Sequence, residues 1–252
     1  MKTTGNTILI TGGNSGIGRA LAEAFHARGN KVIITGRRRQ TLDEVSAVNP
    51  GMVAMTLDFG DADGIKAFAE RLVSEHPGLN AVINNAGIMK REDLTTAPGY
   101  LQTAEETIAT NLLGPIRLTA ALLPHLLKQQ NATILTVSSG LAFVPMAASP
   151  TYSATKAALH SYTMGLRQQL KNTPVEVIEI VPPYVQTTLM GERQANDPTA
   201  MPLADFIREV MDILTNQPEA QEVVVERCKP LRNAAETGNM GKMFEIISGL
   251  DH

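Results

Sequence analysis

Residues 7–18 read TILITGGNSGIG, and this stretch decides the fold. The run at 7–11 is short, apolar and rich in β-branched residues, as a buried strand requires. It meets Gly12, Gly13, Asn14, Ser15, Gly16, Ile17 and Gly18, then a helical pattern from Arg19 to Arg28 closed by Gly29. A second strand-like run, KVIIT, follows at 31–35, so the glycine loop is the first turn of a βαβ unit. Gly12, Gly16 and Gly18 there permit a tight turn, close approach of a ligand's phosphates and close packing of helix on strand. The helix beyond them offers unpaired N–H groups and a partial positive charge, which suit a pyrophosphate. A glycine loop alone reads equally as a flexible turn; its place after the first strand favours a dinucleotide.

The cycle repeats outward: helix near 39–47, strand 52–57, helix 61–75, strand 80–84, a long helix near 103–127, strand 133–138, helix 150–171 and strand 174–181. Alternation of this kind predicts an α/β chain, a single-domain Rossmann-type doubly wound parallel sheet with helices on both faces. Strands as uniformly apolar as VIEIV agree with burial on both sides. No repeat or Pro/Gly-rich linker divides the 252 residues, so one domain over 1–252 is expected.

Bulk properties narrow the function classes. The net charge of −3 and a single three-residue basic run, Arg37 to Arg39, argue against nucleic acid as a partner. The apolar stretch 112–127 is interrupted by Gly114, Pro115, Arg117, Pro124 and His125, so no membrane span or secretory leader is expected. The lone Cys228 excludes an internal disulfide and suits a reducing, cytoplasmic setting. The five histidines show no metal-ligand spacing, and no metal is expected.

The end of the second strand would face an adenosine ribose. A carboxylate there favours NAD, whereas arginine accommodates a 2′-phosphate. Here the strand runs into Arg37 and Arg38, so NADP(H) is the preferred cofactor and NAD(H) the lesser one. As the bland alternative, both arginines would be solvated residues at a helix start. Asp58 ends the third strand, where a carboxylate could accept from an adenine amine. The fourth strand closes in Asn84, Asn85, Ala86 and Gly87, small and polar as befits a backbone passing beside a ligand. Either asparagine could instead tie neighbouring strand ends together.

Tyr152 and Lys156 stand four apart on a predicted helix and so share a face. A phenol beside a fixed ammonium can act as a proton donor, and a hydroxyl at Ser139, at a strand's carboxyl end, could orient a substrate oxygen. The pair alone is also what a surface helix shows. Earlier in the chain Pro115 lacks an N–H, which deprives the Asn111 carbonyl of its helical partner.

Four segments together resemble the short-chain dehydrogenase/reductase family, and within it the DltE-type oxidoreductases. They are TGGNSGIG, NNAG, the Ser139–Tyr152–Lys156 spacing, and Asn111 at the position of a fourth active-site residue. The resemblance covers 7 to about 190 and implies an NADP-dependent oxidoreductase acting on a carbonyl or alcohol. It implies Tyr152 as proton donor or acceptor, Ser139 as holder of the substrate oxygen, and Lys156 as ligand of the nicotinamide ribose that depresses the tyrosine pKa. Asn111 would hold a water through its carbonyl, and Pro182, Val185 and Thr187 would meet the nicotinamide. The usual Pro-Gly is here Pro182-Pro183, and the tail over 228–252 departs from the family's glycine-rich ending. Leu141, Phe143, Met146, Tyr184, Leu189 and Met190 are the expected substrate lining, mostly apolar, with a lid at about 184–216. Ala154, Ala157, Ala158, Ser161 and Gly165 form a small-residue stripe opposite Tyr152, and a homodimer or homotetramer through it is expected. The rival from another class is a non-catalytic dinucleotide-binding regulator.

Overall fold

The structure is a computed structural model that describes residues 1–96 and 98–249. Seven parallel strands form one sheet in the order β3-β2-β1-β4-β5-β6-β7. They are β1 (Thr7–Thr11), β2 (Lys31–Gly36), β3 (Val53–Thr56), β4 (Leu79–Asn84), β5 (Ala132–Val137), β6 (Val175–Val181) and β7 (Glu222–Val224). The helices are α1 (Gly16–His26), α2 (Arg39–Val48), α3 (Ala62–Glu75), α4 (Tyr100–Ile108), α5 (Gly114–Leu126), α6 (Pro150–Leu170), α7 (Glu192–Ala195), α8 (Leu203–Asn216), α9 (Lys229–Arg232) and α10 (Met240–Ser248).

Side chains of a strand alternate between faces, so a fully apolar strand feeds two cores. Ile8 and Ile10 of β1 enter one core with Leu21 and Phe25 of α1 and Phe206 and Val210 of α8. Leu9 enters the other with Ile65 and Phe68 of α3 and Leu118 and Leu122 of α5. Each such side chain contributes roughly 1.5–3 kcal/mol by leaving water. Because the chain runs outward from β1 to β3 and then resumes at β4 on the other side, the loops after β1 and β4 part and leave a crevice.

The helix expected over 103–127 starts earlier, at Tyr100, and is interrupted. Residues Ala109–Leu113 form one π turn, in which the Gly114 N–H donates to the Ala109 carbonyl. Pro115 cannot supply an N–H, and the ladder shifts by one residue there. The loop expected over 88–103 also holds a short turn of 3₁₀ helix at Leu94–Thr96; Ala97 lies outside the described residues.

Of the expected lid, residues 203–216 are α8, whose Phe206, Val210, Met211 and Leu214 are buried. Only the preceding part reaches the crevice. It folds back on itself through a bridge between Val185 and Met201. The tail beyond 228 supplies α9, packed beneath the turn after β5, and α10, which buries none of its side chains. Residues 250–252 of that tail lie outside the described residues.

Candidate active site

The crevice is a cleft of about 870 Å³ bordered by the loops after β1, β2, β3, β4, β5 and β6. It is lined by Gly12, Asn14, Ser15, Gly16, Ile17 and Gly18, and by Arg37, Arg38, Asp58, Asn85, Ala86 and Gly87. Ser139, Tyr152, Lys156, Pro182, Val185 and Thr187 line its other end. Of the expected catalytic and cofactor-binding residues, Asn111 alone does not border it.

The β1 loop is shaped as a cradle. Gly12 and Gly16 have φ of 67° and 52°, in the left-handed region. A Cβ on Gly18 would collide with the Gly12 carbonyl and the Asn85 side chain, so helix and loop touch where only glycine fits. Ser15 starts α1 without a side-chain cap, and the first turn carries no acidic residue. The amide ends of α1 therefore face the cleft uncapped by side chains, as an anion site requires. Arg37 and Arg38 border the cleft with exposed side chains, whereas the next arginine, Arg39, is taken by Asp43 at 2.8 Å. One oxygen of Asp58 accepts from the Gly60 N–H at 2.9 Å, a local turn that leaves the other oxygen for a ligand.

Asn85 serves the frame as well as the cleft. Its Nδ2 donates to the Thr11 carbonyl at 2.8 Å, and its own N–H and that of Ala86 both donate to the Thr11 hydroxyl at 3.0 Å. Thr11, a further unforeseen member of the frame, thus ties the ends of β1 and β4. Asn84 points inward to Thr119. Asn111 is fully buried and brackets Ile88, accepting from its N–H at 2.8 Å and donating to its carbonyl at 2.9 Å.

Tyr152 and Lys156 are one turn apart on the inner face of α6, both buried. Lys156 Nζ donates to the Val137 carbonyl at 2.8 Å and lies 5.6 Å from the centre of the Tyr152 ring. The Ser139 hydroxyl accepts from the Leu141 N–H at 3.1 Å and stands close enough to the Tyr152 phenol to influence its proton. Burial pushes the Tyr152 phenol up to about 12, with Ser139 pulling the other way. The expected depression of this pKa by Lys156 is not seen: burial sets the direction, and Ser139, not Lys156, is the group that opposes it. Burial also brings Lys156 down to about 8, with Glu179 opposing.

These shifts fix a pH dependence of stability. The unfolded lysine holds its proton up to 10.5 and the folded one only to about 8, so in that interval the unfolded chain carries the extra proton. Stability then rises with pH, by at most about 1.4 kcal/mol per unit. Cys228 works in the opposite sense: burial moves its thiol from 9.0 up to about 12, so above 9.0 the folded chain keeps a proton that the unfolded one loses. Without nucleotide, stability is expected to climb from about pH 8 to 9 and then level off, with Lys156→Met abolishing the climb. Urea titrations at about pH 7.5, 8.5 and 9.5 check this.

The expected substrate lining is largely displaced. Leu189 borders the cleft, but Phe143 lies between Arg232 and His160, Met146 is buried, and the Tyr184 hydroxyl donates to Asp197 at 3.2 Å. Neither Leu141 nor Met190 borders it. The turn that begins at Ser139 folds away from the cleft and against α9, taking Phe143 with it. Ile88, Met89, Lys90, Thr110 and Thr188 form the wall instead. Gln194 is a further unforeseen member: buried, it donates to the Val185 carbonyl at 2.8 Å and to the Thr187 hydroxyl at 3.2 Å, clipping this loop in place.

The family described as short chain dehydrogenase matches residues 6–198. The chain belongs to the short-chain dehydrogenase family. Among curated relatives of this family, the uncharacterized oxidoreductase DltE of Bacillus subtilis (strain 168) is 40% identical over 251 residues, covering 98% of each chain. The dehydrogenase/reductase SDR family protein 7-like of Drosophila melanogaster is 31% identical over 73% of this chain and 59% of its own. Among solved structures, a short-chain dehydrogenase from Streptomyces avermitilis superposes with a TM-score of 0.81 at 24% identity, over 96% of both chains. One from Burkholderia cenocepacia J2315, in complex with NADP, gives 0.80 at 23% over 98% and 99%. One from Burkholderia phymatum, in complex with NAD, gives 0.81 at 18% over 96% of both. The protein is thus a short-chain dehydrogenase/reductase enzyme built on a Rossmann-type nucleotide-binding fold. Among the described residues no helix is long and apolar enough to cross a membrane.

Proposed function

We propose that this short-chain dehydrogenase is an NADP(H)-preferring carbonyl reductase or alcohol dehydrogenase with Tyr152 as its proton donor and acceptor. The observation that carries this reading is the convergence of Tyr152, Ser139 and Lys156 on one cleft, with Lys156 Nζ 5.6 Å from the centre of the Tyr152 ring. When bound, the nicotinamide supplies or takes up the hydride. The chain's own residues do the rest. The β1 loop and the start of α1 hold the pyrophosphate, and Arg37 and Arg38 the 2′-phosphate. Lys156 holds the nicotinamide ribose, while Pro182, Val185 and Thr187, with Gln194 behind them, hold the carboxamide. Ser139 fixes the substrate oxygen, and Tyr152, protonated up to about pH 12, delivers a proton to it. The side chain of Asn111 is committed to Ile88, so its contribution to proton supply is through its carbonyl in the π turn.

Ile88, Met89 and Leu189 at the Ser139 end favour an apolar ketone or aldehyde over a charged metabolite. A screen of carbonyl compounds, following loss of reduced-nicotinamide absorbance with NADPH and with NADH, tests the reading. Turnover faster with NADPH is the expected result; absence of turnover across uncharged carbonyls would overturn it.

The outer face of α6 supports association. Ala154, Ser161 and Gly165 are exposed, and a Cβ added to Gly165 would meet nothing within 4 Å. Small residues left open in this way admit another helix at close range. Light scattering at micromolar concentration is expected to give at least twice the 27.1 kDa chain mass.

A further inference from the structure

Glu179 sits in the middle of β6 and is fully buried, on a strand whose other inward residues are aliphatic. Its Oε2 is 2.7 Å from His160 Nδ1, and its Oε1 has no partner among the described residues. The sheet register places it between Thr136 of β5 and Glu222 of β7. Glu222 is gripped through both oxygens by Arg232, at 2.6 and 3.2 Å. The Arg232 guanidinium covers the Phe143 ring at 4.7 Å, and the same ring meets His160 edge-on at 4.7 Å. Arg167 of α6 reaches the same edge of the sheet, bonding the carbonyls of Val177 and Gln221. Ligand atoms of His160, Glu179 and Glu222 lie within 4.8 Å of one another, but both Glu222 oxygens are already taken by Arg232. We therefore read it as an ion-pair network.

Its position relative to the cleft gives it a task. Tyr152, Lys156 and His160 follow one another at four-residue intervals along the inner stripe of α6. Lys156 lands on the Val137 carbonyl of β5, and His160 lands on Glu179 of β6. Val137 pairs with Ile180 in the register and Thr136 with Glu179, so the two landing points are neighbours. A buried carboxylate with an unpartnered oxygen is costly unless positive charge stands close by, and a buried ammonium needs negative charge in the same way. Glu179 is the group that draws the Lys156 pKa upward against desolvation.

We propose that Glu179 is a positioning residue of the site: its buried charge keeps Lys156 in the ammonium form, and through His160 and Phe143 it steadies the turn that begins at Ser139. This rests on the reading that Lys156 grips a bound nucleotide. The test is NADPH binding, followed by nucleotide fluorescence from about pH 6 to 10, in the wild type, Glu179→Gln, Glu179→Asp, His160→Asn and Lys156→Met, with thermal melts for each. Wild-type binding is expected to weaken above about pH 8, the value to which Lys156 is brought. Glu179→Gln should move that break down by about one pH unit, which is about fivefold weaker binding at pH 8 and little change at pH 6. Glu179→Asp, which keeps the charge, should keep the wild-type break, and His160→Asn should leave it at or above the wild-type value. If Lys156→Met leaves affinity and pH profile unaltered, the reading of Lys156 has failed and the inference falls with it. If Lys156→Met flattens the profile while Glu179→Gln keeps the wild-type break, or weakens binding equally at every pH, the inference alone is overturned. A downward move in His160→Asn also overturns it, whether or not Glu179→Gln folds.

Discussion

Tyr152→Phe is expected to lower turnover by about 10²- to 10⁴-fold, the usual contribution of a positioned general acid, and to leave NADPH affinity unchanged. The substitution removes one oxygen from a side chain that is 7% exposed and whose ring packing is otherwise kept. The loss therefore falls on proton transfer and not on the shape of the cleft. Steady-state rates with a carbonyl substrate from the screen, set beside fluorescence titration of NADPH, separate the two quantities. The same experiment decides between classes of function. In a non-catalytic dinucleotide-binding regulator the phenol would have no chemical step to serve, and the phenylalanine variant would match the wild type in every readout.

The second large effect concerns the nucleotide itself. Arg37 and Arg38 border the cleft with exposed guanidinium groups, and Arg39 is diverted to Asp43. A hydrogen bond to a charged group contributes about 1.5–3 kcal/mol, or roughly 10- to 150-fold in affinity. Replacing both Arg37 and Arg38 with alanine is expected to raise the Kd for NADPH by at least about tenfold while the Kd for NADH stays level. Parallel titrations with the two nucleotides read this directly. Equal weakening for both would place the arginines on the shared pyrophosphate, and no weakening for either would leave them as solvated residues at the start of α2.

How far these residues could be read in advance depends on the range over which each is positioned. The β1–α1 turn is contiguous, and Gly12, Gly16 and Gly18 announce it because no other residue fits such a bend. Tyr152 and Lys156 were equally legible, since the helical repeat alone puts them on one face. Pro115 signalled a break near Asn111 because a missing N–H is a local fact, although it did not say that the helix would answer with a π turn. The cleft wall is another matter. Ile88, Met89 and Lys90 reach it only because Asn111, 23 residues away in sequence, brackets Ile88. Gln194 belongs to it because the chain after β6 doubles back to Met201. Phe143 looked like substrate lining because it follows Ser139 closely, yet the turn carries it toward Arg232, 89 positions later. Glu179 and His160 meet across a strand and a helix, and nothing in the spacing of their neighbours announces it.

Helix α6 is a single rod of 21 residues with two working sides. One side carries the phenol and the ammonium; the other carries bare alanine and glycine open to contact. No hinge or loop separates them, so under the function proposed above a partner seated on the outer side would bear on the groups held by the inner one. Assembly and turnover should accordingly rise and fall together upon dilution.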